Sequence, residues 1–227
     1  MSTPCLVLAS ASPRRRQLLA LLGVPFSVDP PDVDEMLPER SPDVPAVARR
    51  LARHKALAVA QRHPGAVVLA ADTIVALRGR LLGKPSDATE AEAMLRLLMG
   101  RGHRVVTAVA VVRGRRALVA HAVTSVRLRR FEEAELRAYI GSGAPFDKAG
   151  AYAIQDEVLA PVAAYRGCYC NVVGLPLALA AGLLRRAGLP VTRGVADLLP
   201  QCGGCPLWRD HDRWCPPSTG ARMAGRP

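Results

Sequence analysis

Lysine is nearly absent from this chain. Of its 31 basic residues only three are lysine, Lys55, Lys84 and Lys148; the others are arginine. A composition so biased keeps lysine mainly where a compact ammonium does what a planar guanidinium cannot, such as resting as a point charge on a phosphate or a metal-bound oxygen. Aromatic residues are scarce too, at 4% of the chain, which leaves few platforms on which the bases of a single strand could stack. The formal charge of +12 would suit a polyanion, yet the arginines fall in ones, twos and threes rather than in clusters interleaved with aromatics, so nucleic acid is not the expected partner. No stretch approaches the roughly 20 apolar residues of a membrane span. The basic region, long apolar stretch and cleavage site of a secretory signal are missing. A cytoplasmic location is therefore expected, with Cys5, Cys168 and Cys170 as reduced thiols.

What is present is a chain of 227 residues, half of them hydrophobic, enough for one sizeable core and a short appendage. Strand and helix patterns alternate over residues 1–197, which reads as a single α/β domain with a mixed sheet flanked by helices. Residues 198–227 change character to Gly, Pro, Cys, Trp and Arg and read as a C-terminal extension. Leu6 to Ala9 is a short apolar run, and Ser12-Pro13 then opens an amphipathic stretch that Gly23 closes, a strand, a tight turn and a helix. A second short strand near Phe26 leads into the acid- and proline-rich loop that holds Asp34 and Glu35. A helix is expected over about Val44 to Gln61, with Lys55 on its apolar side together with Val47, Leu51 and Ala58. The apolar run Ala66 to Ala71 is expected to end at Asp72-Thr73, with Ile74 to Leu82 as a separate hairpin reaching Gly83-Lys84-Pro85. Another helix over Asp87 to Met99, two long strands over His103 to Val112 and Ala117 to Leu128, and helices near Glu132 to Ile140 and Leu175 to Ala187 complete the pattern.

Three groups of residues carry chemistry. Ser10 to Arg15 offers an anion site, because a helix N-terminus presents unpaired N–H groups and here Ser10, Ser12, Arg14 and Arg15 add further donors; taken alone it is equally a well-capped helix with arginines in solvent. It lacks the glycine pattern of a P-loop, which disfavours a Walker-type NTPase. Asp72 at a strand end would be expensive to bury without a charged partner, and Lys55, Lys84 or a divalent cation could supply one, with Glu35 as a second metal-binding carboxylate. Such a mixture suits phosphoryl chemistry, where cations neutralise developing charge and a carboxylate holds a metal or takes a proton from water. Alone, Asp72 could be a turn cap and Lys55 a snorkelling side chain. Gln155, read as lying at a strand end, carries both a donor and an acceptor and could read the edge of a pyrimidine.

Together these stretches resemble the Maf family of nucleoside triphosphate pyrophosphatases, also called septum formation proteins. The resemblance is carried by Leu8-Ala-Ser10-Ala-Ser12-Pro-Arg14-Arg15, Asp34-Glu35, Lys55-Ala56, Ala71-Asp72-Thr73-Ile-Val75, Gly83-Lys84-Pro85, Thr107-Ala-Val109, Asp147-Lys148-Ala-Gly-Ala-Tyr152 to Gln155, and Asn171-Val-Val-Gly174-Leu-Pro176. It implies an elongated mixed α/β fold like that of inosine triphosphate pyrophosphatases, and a divalent cation, magnesium or manganese. It also implies hydrolysis between the α- and β-phosphates to a nucleoside monophosphate and pyrophosphate. Asp72 falls on the family's proton acceptor, Glu35, Lys55 and Lys84 on its charged pocket residues, and Ser10 to Arg15 on its phosphate-binding turn, with Lys148 in the stretch that positions Gln155. Arg14, Thr73 and Gln155 resemble the branch acting on dTTP and UTP. The branch acting on 7-methyl-GTP typically has glutamine after the aspartate and glutamate at the last position. A 7-methyl-GTP enzyme and a nucleotide-binding regulator of cell division with little turnover are the rival readings, and a homodimer is compatible with each.

The chain departs from the family pattern at two places. Cys168 stands where serine is more usual, and the extension adds Cys202-Gly-Gly-Cys205, His211 and Cys215, which could close a tetrahedral zinc site. The plainer reading of the extension is a flexible or lightly docked segment.

Overall fold

The computed structural model describes residues 5–34 and 36–209. Its strands are β1 (Leu6–Leu8), β2 (Phe26–Val28), β3 (Val67–Leu77), β4 (Arg80–Leu82), β5 (Gly102–Arg113), β6 (Arg116–Leu128) and β7 (Val162–Arg166). The helices are α1 (Pro13–Leu21), α2 (Val44–Arg62), α3 (Ala88–Leu98), α4 (Glu133–Gly141), α5 (Tyr169–Val173), α6 (Leu177–Arg186) and α7 (Pro206–Arg209). One mixed sheet runs in the order β2-β1-β3-β5-β6-β7, with β4 paired to β3 off this path. The short strands β2 and β1 are parallel to each other, and β1 is parallel to β3; every other pairing is antiparallel.

The run through Asp72 differs from expectation. The apolar segment does not stop at Ala71 but continues as one strand to Leu77, paired with β5 from Val67 to Ala76. Asp72 is therefore in mid-strand. Asp72 is buried, and its access to the cleft comes from the edge of β3 opposite β5, which two short strands share. Leu6 to Leu8 of β1 pair with Val67 to Leu69, and β4 pairs only with Val75 to Leu77. Between them, residues 70–74 of β3 have no strand beside them. This gap in the ladder, rather than a strand terminus, makes the crevice.

Side chains of β3 alternate between the faces of the sheet. Val68, Ala70, Ile74 and Ala76 pack with Ala48, Leu51, Ala52, Ala56 and Val59 of α2. On the other face Leu69 and Ala71 pack with Leu18 and Leu19 of α1 and with the apolar helix α6. Beyond the gap, Val75 and Leu77 join a third cluster with α3 and α4. The helices start where local chemistry caps them: Ser12, Asp43 and Asp87 each accept a hydrogen bond from the first turn of α1, α2 and α3. The last expected helix, Leu175 to Ala187, starts late, with α6 beginning after Pro176, because proline disfavours helical backbone in the residue before it; the short helix α5 that precedes it and is closed by Gly174 was not expected. Strand β7 escaped the sequence reading; four of its five residues are exposed, so it has no buried apolar alternation to betray it.

His103, on β5, is buried and its Nε2 lies 2.7 Å from the hydroxyl of Tyr152. Burial lowers its pKa from 6.5 to about 4. The folded protein therefore keeps a neutral imidazole where the unfolded chain takes up a proton, so this contribution is complete above pH 6.5 and is lost as pH falls towards 4. The expected cost between pH 7 and pH 5 is about 2 kcal/mol. Urea unfolding of the wild type should show it, and the His103→Gln variant should lack that part of the slope.

Candidate active site

The crevice beside residues 70–74 opens into a cleft of about 880 Å³, within the range of roughly 300–1,000 Å³ usual for small-molecule sites. Its lining is rich in charge. Six basic side chains, Arg14, Arg15, Lys55, Arg80, Lys84 and Lys148, face four acidic ones, Glu39, Asp72, Glu90 and Asp147. The balance favours a multiply charged anion.

Asp72 and Lys55 form the centre. The Lys55 ammonium donates to Asp72 Oδ1 at 2.5 Å, and the two side chains are only 4% and 7% exposed. Their meeting follows from the alternation of β3, which turns Asp72 towards α2, and from the helical spacing that puts Lys55 among Leu51, Ala52, Ala56 and Val59 on the buried face. Lys55 does not snorkel. A buried ion pair gains little net stability over apolar residues of the same volume, yet losing one partner costs about 3–5 kcal/mol. Such a pair is a poor device for holding a fold together and a good one for keeping two opposite charges at a fixed place.

The phosphate-sized turn arrives from the end of β1. Ser10 is buried, its Oγ accepts from the Ser12 N–H, and Ser12 Oγ accepts from the Arg15 N–H as the cap of α1. Arg15 is fixed on three sides: Nε donates to the Gly174 carbonyl at 2.9 Å, Nη2 to Thr73 Oγ1 at 3.0 Å, and Nη1 to Ser10 Oγ at 3.4 Å. Gly174 is required here. Its φ is +122°, and an added Cβ would lie 3.4 Å from Thr73 Oγ1. Arg14 turns instead to Asp147, donating to its carboxylate at 2.6 Å and to its carbonyl at 3.0 Å.

From the other end of the gap, β4 delivers Gly83-Lys84. Lys84 is exposed and lines the cleft. The Gly83 carbonyl accepts from the Gly150 N–H at 2.9 Å, which ties β4 to the segment carrying Lys148 and Gln155. Lys148 donates to Asp147 Oδ1 at 2.6 Å and to the Ala144 carbonyl, so its ammonium is engaged in holding that segment. Gln155 lines the cleft from a turn, not from a strand end, and is exposed. No strand forms across Tyr152 to Ile154: a 3-10 turn over Ala149–Ala151 precedes it, with Gly150 at φ +70° and Ala151 at φ +64° bending the chain, and Ile154 and Gln155 lie in a turn. Glu35 lies outside the described residues, as do His211 and Cys215.

Asn171 and Thr107 were quoted in the sequence only as parts of matching stretches, and their role is visible only in three dimensions. Thr73 Oγ1 lies 3.0 Å from Thr107 Oγ1, and Thr107 donates through its hydroxyl to the Asn171 carbonyl at 2.7 Å. The fully buried Asn171 amide accepts from the Thr107 N–H and donates to the Val105 carbonyl and to Thr124 Oγ1. The signal that could have found it was an asparagine in an otherwise apolar, helix-like stretch.

Comparison with known proteins shows the family. The model of the Maf-like protein family matches residues 5–187. The chain belongs to that family. It is 61% identical over 203 residues to a dTTP/UTP pyrophosphatase of Thermomicrobium roseum, covering 89% of this chain and 93% of that one. The dTTP/UTP pyrophosphatases of Symbiobacterium thermophilum and Myxococcus xanthus are 50% and 54% identical, covering 84% and 82% of this chain and 98% and 94% of theirs. Among solved structures, a HAM1 protein from Coxiella burnetii covers 56% of this chain and 74% of that one at 21% identity, with a TM-score of 0.39. Among the described residues no helix is long and apolar enough to cross a membrane.

Replacing Asn171 by Ala should lower stability by about 3 kcal/mol, because it leaves buried backbone and hydroxyl groups without partners. Urea unfolding measures this. Loss of the carbonyl anchor for Arg15 should appear alongside it as a higher KM.

Proposed function

We propose that this member of the Maf family is a nucleoside triphosphate pyrophosphatase that hydrolyses dTTP and UTP to the nucleoside monophosphate and pyrophosphate. The observation that carries the reading is the buried Asp72–Lys55 pair at the floor of a cleft walled by cations. The names of the relatives support the choice of substrate.

In this mechanism the turn from Ser10 to Arg15 binds phosphate oxygens through its N–H groups and side chains. Asp72 receives the proton of a water that attacks the α-phosphorus; the bond from that phosphorus to the bridging oxygen breaks, and pyrophosphate leaves with the electron pair. Lys55 holds the carboxylate in place, and with Lys84 it offsets negative charge that grows on the phosphates. Arg14 and Lys148 act through Asp147, positioning the segment from which Gln155 reads the base. Gln155 pairs with a carbonyl and the N3–H of a uracil or thymine ring, a pattern that cytosine does not offer.

The donors suit a hard divalent cation, magnesium or manganese. Lys55 engages one oxygen of Asp72, the carboxylate has a second, and no ready-made group of three ligating side chains occurs among the described residues. That is the pattern of an ion taken up by one or two carboxylates together with substrate phosphates. Asp72, with Glu35 from its loop, would hold the ion, which supplies charge neutralisation on the phosphates. The same reading places the enzyme in the cytoplasm with its nucleotides.

A pyrophosphate-release screen across nucleoside triphosphates tests the assignment: dTTP and UTP should lead, and equal turnover of 7-methyl-GTP would contradict it. Asp72→Asn should cut kcat by roughly a hundredfold or more while the far-ultraviolet circular dichroism stays unchanged. Gln155→Glu should lower kcat/KM for dTTP and UTP at least tenfold, about 1.4 kcal/mol, with little effect on unfolding.

A further inference from the structure

The two places where this chain departs from its family pattern meet in space. Cys168 caps α5 and Cys170 lies in its first turn, while Cys202 and Cys205 bracket a Gly-Gly turn of the extension. All four are buried in the same cluster under α6. Cys170 Sγ is 3.7 Å from Cys202 Sγ. Cys168 lies beside Cys170 and Cys205. Buried cysteine sulfurs gathered in this way are the usual ligands of structural zinc.

The spacing is informative. Four sulfurs at about 2.3 Å from a zinc ion form a tetrahedron whose edges are about 3.8 Å long. Two short motifs, Cys-x-Cys on one element and Cys-x-x-Cys on another, supply the four corners, and the Cys205 N–H donates to the Cys202 carbonyl at 3.0 Å to form the turn between the second pair. Among the described residues no group of three or more His, Cys, Asp or Glu side chains is placed to hold a metal ion as it stands, so binding requires the four thiols to turn toward a common point. We propose that Cys168, Cys170, Cys202 and Cys205 bind one structural zinc ion that fastens the extension to the domain. This set differs from the one expected within the extension alone, which took Cys202 and Cys205 together with His211 and Cys215.

The site also has a route to the active site. The Thr124 hydroxyl donates to the Cys168 carbonyl and accepts from its N–H, and the same hydroxyl accepts from Asn171. Zinc at Cys168 and Cys170 would therefore hold α5, and through α5 the Gly174 carbonyl that fixes Arg15.

Metal analysis of the full-length protein, purified without chelator, tests the proposal. About one zinc per chain is expected, falling to background both in Cys168→Ser/Cys170→Ser and in Cys202→Ser/Cys205→Ser, and persisting in His211→Ala/Cys215→Ser. Should the serine variants fail to fold, cobalt loaded into the wild type decides: intense thiolate-to-metal charge-transfer and tetrahedral d–d absorption are expected, which cobalt held by oxygen ligands in the nucleotide cleft would not produce. Wild-type protein that retains no zinc and shows no such absorption would overturn the proposal, with a Cys170–Cys202 disulfide, visible by mass after alkylation, as its replacement. Zinc lost on changing His211 and Cys215 but kept on changing Cys168 and Cys170 would overturn it in favour of the extension alone.

Discussion

A lysine and an aspartate that exclude nearly all water from their contact organise this molecule. Lys55 and Asp72 lie 2.5 Å apart, and desolvating both would be prohibitive unless the elements that carry them were rigidly fixed. The sheet and α2 provide that rigidity. Small residues on both surfaces, Ala70 and Ala76 on β3 and Ala48, Ala52 and Ala56 on α2, let the helix lie close enough for the ammonium to reach the carboxylate. The missing neighbours of residues 70–74 then give the pair a route to ligand. Buried charge and an interrupted ladder are each unfavourable for stability, and here they coincide.

The opposite face of the same strand supports a second chain of interactions. Thr73, adjacent to Asp72 in sequence but pointing the other way, receives Arg15 and leads through Thr107 and Asn171 to Thr124 and Cys168. One step along β3 thus separates the carboxylate proposed to react from the scaffold that positions the turn proposed to bind phosphate. A zinc ion at the far end of that scaffold would make the extension a structural part of the enzyme, fastened below the site without entering it.

Much of this was legible beforehand. The cap at Ser12, the apolar face of α2 and the strong patterns of β5 and β6 are local signals, and they placed most elements within a few residues. Lys55, Asp72, Lys84 and the Ser10 to Arg15 turn stood out in the sequence as polar or charged residues beside apolar runs, and the fold brings them to one cleft. Misreadings arose where non-local pairing overrode local pattern. Asp72 and Thr73 look like a strand stop, but β5 continues opposite them and carries the ladder through. Gln155 follows an alternating stretch, but the left-handed backbone at Gly150 and Ala151 turns it into a loop.

The α/β class, the family and the inventory of candidate groups can be read along the chain, because periodicity, caps and motifs are written in neighbouring residues. Which groups share a partner emerges only on folding: Lys55 meets Asp72, Arg14 and Lys148 converge on Asp147, and Cys170 meets Cys202. Those pairings depend on strand order and on the register of β3 against two incomplete neighbours. Such contacts join residues far apart in the chain, and no local propensity specifies them.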